Sequence, residues 1–123
     1  MTKSFNVDSK TLAKEIIAGM EEKKALDIVM LDLREVPNSI VDFFVICSGN
    51  SDTQIEAISE SIEDEVEKHT TQRPWSKEGM GNKEWIIIDY VDVVAHVFQK
   101  STRGFYGLEE LWGDGKVISI DKA

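Results

Sequence analysis

The stretch from Trp85 to Trp112 changes its hydrophobic period part-way, and that change constrains the fold more than any other feature of the chain. Trp85–Asp89 and Val93–Phe98 are β-branched and aromatic runs, the composition of strands. The four residues Asp89-Tyr90-Val91-Asp92 between them are few enough for a hairpin connection. Beyond Phe98, the residues Phe105, Leu108 and Leu111/Trp112 recur at helical spacing. The segment therefore reads strand, tight turn, strand, helix. It gathers Asp89, Asp92, Arg103, Tyr106, Glu109 and Trp112 into one neighbourhood.

The rest of the chain supplies what that unit packs against. Asp8 or Ser9 can cap a helix whose apolar stripe is Leu12, Ala13, Ile16, Ile17 and Met20, ending near Glu22–Lys24. Ala25–Leu33 reads as a strand with Ile28, Met30 and Asp32 on one face and Val29, Leu31 and Leu33 on the other. Residues 34–42 form a turn region around Pro37 and Asn38. Phe43–Cys47 is almost continuously apolar, as a central strand covered on both faces should be. Ser51 with Gln54 fits a capping box, opening a helix with Ile55, Ile58, Ile62 and Val66 inward. Residues 70–83 read as a connector, and Trp75 within it, taken alone, is expected to pack down on the core. The tail 113–123 alternates at Val117, Ile118 and Ile120, as an edge strand or a docked tail would, and residues 1–7 read as a loose lead-in. The order α-β-β-α-β-β-α predicts one α/β domain over residues 1–123, with a mixed sheet of four to five strands flanked by helices.

Charge and composition narrow the function classes. A net charge of −9 argues against nucleic acid as the main partner and favours a basic protein surface. The single cysteine, Cys47, permits no internal disulfide, which fits a reducing compartment. No apolar signal core opens the chain and no run approaches membrane-spanning length, so a cytoplasmic protein without membrane contact is expected. Between Ser51 and Thr70 there are seven Asp/Glu and one Lys, an excess that reads first as a solvated helix face.

Chemistry is poorly supported. For nucleotidyl transfer, Gly49 and Ser51 precede a helix and Asp89 and Asp92 flank a turn. Yet that helix is acidic from Asp52 onward, no Lys or Arg adjoins Ser51, and the aspartates are not on alternate positions of one strand. Cys47 lies in an apolar run typical of an inert core thiol, and His96, the nearest base by fold position, reads as structural or interfacial. Cys47, His69 and His96 have no metal-ligand spacing, so neither metal nor cofactor is expected.

The motifs W-I-I-I-D-Y-V-D-V-V-A-H-V-F from Trp85 and R-G-F-Y-G-L-E-E-L-W from Arg103 resemble the signature of the ribosomal silencing factor family, also called Iojap-like or RsfS. Trp75 with Glu78-Gly79, the strand D-I-V-M-L-D-L from Asp27, and D-F-F-V-I-C-S-G-N-S-D-T-Q from Asp42 match it too. The resemblance implies a nucleotidyltransferase-like α/β fold without enzymatic activity. It also implies binding to the large ribosomal subunit through that subunit's ribosomal protein fourteen, which blocks subunit joining and represses translation when nutrients are short. A role in large-subunit assembly, as in organellar relatives, and a nucleotide-binding enzyme are the alternatives. The resemblance and the residue chemistry together nominate Trp75, Glu78, Tyr90, Asp92, His96, Arg103, Tyr106, Glu109 and Trp112 as partner-binding residues. An apolar docking face also makes a homodimer plausible in the free protein. Two departures stand out: the family usually has Gly where this chain has Val91, and Gly104 and Gly107 weaken the last predicted helix.

Overall fold

The structure, a computed structural model, describes residues 8–101 and the strand 116–119. Its elements are α1 (Ser9–Glu22), β1 (Leu26–Asp32), β2 (Phe43–Gly49), α2 (Asp52–Thr70), β3 (Ser76–Glu78), β4 (Trp85–Asp89), β5 (Val93–Gln99) and β6 (Lys116–Ser119). The strands form one mixed sheet in the order β3-β4-β5-β2-β1-β6. Only β2 and β5 run parallel, and α2 makes the crossover between them; the other neighbours are antiparallel. The α/β architecture expected from the pattern is present. It has six strands among the described residues because the 70–83 connector contributes β3 and the tail contributes β6. The helix expected over Phe105–Trp112 lies outside the described residues.

Local chemistry explains the elements. The Asp8 carboxylate caps α1 by accepting from the Thr11 N–H at 2.8 Å, an interaction that holds its pKa below the usual value. Ser51 caps α2, accepting from the Gln54 N–H at 3.1 Å, while the Gln54 side-chain oxygen accepts from the Asn50 N–H at 2.7 Å. Both predicted helical stripes are buried as read, with α1 and α2 on one face of the sheet against Ile28, Met30, Phe43, Val45, Cys47, Ile86, Ile88, Ala95 and Val97. The opposite face carries Leu31, Leu33, Phe44, Ile46, Val94 and Phe98. The β1 alternation therefore falls as expected, and β2 is buried along its whole length because both faces are covered.

The helix pair approaches more closely than its apolar stripes alone require. A Cβ on Gly19 would lie 2.6 Å from the Ile62 Cα, so only glycine allows this crossing. Ser61 Oγ donates to the Gly19 carbonyl at 2.8 Å and satisfies a polar group in the buried contact.

Candidate docking site

The strand ends gather the relevant side chains at one edge of the molecule. β2 and β5 begin where β1 and β4 end, since Phe43 pairs with both Asp32 and Val93, and Asp89 pairs with Val94. The β4–β5 connection is three residues, Tyr90 to Asp92, one fewer than the sequence suggests. Asp89 Oδ1 accepts from the Val91 N–H at 2.7 Å, and the Asp92 N–H donates to the Tyr90 carbonyl at 3.0 Å. This second bond spans only two residues and forces Val91 to φ 77°. Val91 thus sits in the left-handed φ region, which a β-branched side chain resists. The 34–42 loop joins the same edge: the Asp92 carbonyl accepts from the N–H groups of Asp42 at 2.7 Å and Phe43 at 3.3 Å.

Trp75 arrives there from the connector. Its N–H donates to the Asp89 carbonyl at 2.7 Å, extending the β3–β4 ladder by one position. Its side chain does not pack on the core as expected: it is 76% exposed, because β3 is an edge strand and places Trp75 beyond the end of the sheet. Ile40 is 88% exposed and Val91 54% exposed. Ile40, Val41, Trp75, Asp89 and Val91 line a mainly apolar hollow of about 390 Å³. Among the described residues, no Lys or Arg lines it. Arg34, at the adjacent end of β1, is engaged: its Nη2 lies 2.7 Å from Asp32 Oδ2 and its guanidinium sits over the Phe43 ring.

The nominated residues divide. Trp75, Glu78 and Asp92 are exposed, with Trp75 and Asp92 at this edge and Glu78 further along β3. Tyr90 and His96 are each only 5% exposed, which removes both from any surface. Tyr90 points into the helix-side core because the turn reverses only after it; burial, then Glu63 and Glu67, push its phenol pKa up. His96 faces the other way, edge-on to Phe44 at 4.7 Å between centroids, with Trp85 Nε1 donating to its Nδ1 at 3.0 Å. Burial depresses the His96 pKa to about 4, so the ring is neutral near pH 7. Arg103, Tyr106, Glu109 and Trp112 lie outside the described residues.

The nucleophile–base pair considered from sequence is not assembled among the described residues. Cys47 belongs to the helix-side core, whereas His96 packs on Phe44 of the opposite face, so the sheet itself separates thiol from imidazole. The N-terminus of α2 is capped by Ser51 and Gln54 and begins with Asp52, which accepts from Gln99 Nε2 at 2.6 Å. A phosphate there would meet a carboxylate and filled N–H groups. His69 has acidic neighbours from both helices: Nδ1 is 2.8 Å from Glu15 Oε1 across the α1–α2 contact and 3.5 Å from Glu65 Oε1 within α2. These three are the one group of metal-ligand type among the described residues, with their ligand atoms all within 4.8 Å of one another, and they make ion pairs when the imidazole is protonated.

Comparison with known proteins decides the family. Residues 6–123 match the sequence profile described as "Ribosomal silencing factor during starvation". The chain is 37% identical over 115 residues to the ribosomal silencing factor RsfS of Bacillus subtilis, covering 94% of this chain and 96% of that one. The chain belongs to the ribosomal silencing factor family.

Within the RsfS family the likeness extends to plants and to solved structures. The chloroplastic Iojap protein of Zea mays is 34% identical over 113 residues, which are 89% of this chain and 47% of that longer one. A crystal structure of a Chromobacterium violaceum protein superposes with a TM-score of 0.81 at 27% identity, covering 95% of this chain and 96% of its own. One from Bacillus halodurans gives 0.75 at 32% identity, covering 93% and 100%. The relatives from Bacillus subtilis and Halalkalibacterium halodurans both carry the name ribosomal silencing factor RsfS. For this RsfS-family member, sequence reasoning missed Ile40 and Val41 as parts of the hollow; the available signal was an isolated apolar pair following Pro37-Asn38-Ser39 in an otherwise polar turn. It also missed Trp85, whose indole reaches His96 only through the cross-strand register.

Proposed function

We propose that this protein represses translation by docking on the large ribosomal subunit, through ribosomal protein fourteen of that subunit, and sterically preventing the small subunit from joining. The observation that carries the reading is the hollow between Ile40, Trp75 and Val91, with Asp89 in its wall and Asp92 beside it. A large exposed tryptophan next to further apolar side chains is costly in water unless a partner covers it. The carboxylates and the net charge of −9 suit a basic ribosomal protein and speed encounter with it. Glu78 supplies further negative charge on the exposed side of β3. The protein acts as a binder, not an enzyme, in the cytoplasm, and the free protein forms a homodimer. The family description, which refers to starvation, supports repression under nutrient limitation.

Cosedimentation with purified large subunits, with and without small subunits, tests the reading. Binding to free large subunits together with a loss of joined ribosomes is the expected result, and Asp92→Lys weakens both effects. Failure to bind large subunits at low salt would falsify it.

A further inference from the structure

We propose that Val91 is a specificity-determining contact of this docking edge, held in a strained turn so that its isopropyl group, beside Trp75 and Ile40, meets an apolar group set among basic side chains on the partner. This rests on the docking reading above and names a residue that the reading does not require.

A φ of 77° brings the valine Cβ and its two methyls against the neighbouring backbone, a conformation that glycine adopts freely and asparagine tolerates. Among the described residues, the fold gains nothing from the side chain in return. Val91 is 54% exposed and is absent from both apolar clusters. The bonds that define the turn all use backbone atoms of residues 90–93, apart from the Asp89 carboxylate. Glycine at this position would keep every one of them. What valine adds is apolar surface at the wall of the hollow, shared with Ile40, Val41 and Trp75. Local strain that the rest of the structure maintains, at a site where the strained side chain points to solvent, is accounted for by an external contact.

The surroundings restrict the partner. Among the described residues the lining contains one carboxylate, Asp89, and no cation. Asp42 and Asp92 are tied to each other through the Asp42 N–H to Asp92 carbonyl bond and flank the same edge. A protein surface with an apolar protrusion ringed by Lys or Arg matches this arrangement; an acidic or phosphate-rich surface is repelled by it. Burying the isopropyl group at such a contact gives Val91 a share in affinity comparable with one well-packed aliphatic side chain.

The test uses the full chain with Val91→Gly and Val91→Asn. For each, the thermal midpoint is measured, together with the dissociation constant for purified large ribosomal subunits. Both variants are expected to unfold at or above the wild-type midpoint, because strain is relieved, and to bind about tenfold more weakly, because apolar contact is lost. Wild-type affinity in Val91→Gly overturns the role of Val91 while leaving the docking reading intact. A midpoint well below wild type in both variants also overturns it, since the side chain then serves the fold. If the wild-type protein itself fails to bind large subunits, the docking reading fails and the role of Val91 fails with it.

Discussion

The indole N–H of Trp85 donates to Nδ1 of His96 at 3.0 Å, and the imidazole is thereby fixed as the tautomer with its proton on Nε2. Nε2 has no hydrogen-bond partner among the described residues, so protonating Nδ1 would lose the Trp85 bond and bury a charge. The consequence is a pH dependence with a definite sign. The unfolded chain takes up this proton near 6.5 and the folded protein only near 4, so the unfolded state binds more protons between those values. The stability contribution is complete above about pH 6.5 and falls as the pH drops toward 4, by on the order of 3 kcal/mol in all. Urea unfolding of wild type and His96→Gln across this window should show a difference in stability that shrinks with acidification. A constant difference would contradict the assignment.

Gly79 and Gly81 lie two residues apart in the connector and should respond differently to the same substitution. Gly79 has φ 88°, and a Cβ there would sit 2.0 Å from the Trp85 carbonyl oxygen, whereas nothing lies within 4 Å of one on Gly81. Gly79→Ala is expected to cost at least about 2 kcal/mol, and Gly81→Ala to stay within about 0.5 kcal/mol of wild type. Chemical denaturation of both variants side by side checks this.

At the helix crossing, Gly19→Ala should drive α1 away from α2 and cost roughly 2 kcal/mol by overpacking against Ile62. Ser61→Ala leaves the Gly19 carbonyl without its donor and should cost about 1–2 kcal/mol. Because both act on one contact, the double variant should fall short of the sum, which a double-mutant cycle measures directly.

Trp75 and Tyr90 should separate binding from stability. Trp75→Ala removes an exposed ring, so stability should stay within about 0.5 kcal/mol while large-subunit affinity falls by more than about tenfold. Tyr90→Ala empties a core position and should cost about 3–5 kcal/mol. Tyr90→Phe should leave the melting temperature unchanged or raise it, because the buried hydroxyl has no partner among the described residues. A loss of binding in Tyr90→Phe with unchanged stability would restore Tyr90 as a contact residue.

Periodicity located most of this architecture. The stripe Leu12–Met20, the stripe Ile55–Val66, the two faces of β1 and the apolar continuity of β2 all emerged where they were read, because burial on a helix or strand face imposes a period the chain must carry. The Ser51 cap with Gln54 was equally legible, since capping is decided within four residues. Strand β3 was not legible. Three residues, Ser76-Lys77-Glu78, carry no alternation and become a strand only because β4 offers a free edge.

The candidate site depended on tertiary structure to a greater degree. The resemblance and residue type together nominated Trp75, Tyr90, Asp92 and His96 alike, since aromatic and polar side chains are common anchors of interfaces. Which way each one points is set by strand register, and register is a long-range property. It turned Tyr90 and His96 inward to opposite faces and left Trp75 and Val91 in solvent beside Ile40, from a loop some 35 residues earlier in the chain. Sequence by itself determined most of the elements, the acidic balance and the family; pairing of the strands made β3 and decided which apolar side chains meet at the sheet's edge, because that edge is built from segments that touch only after the strands have paired.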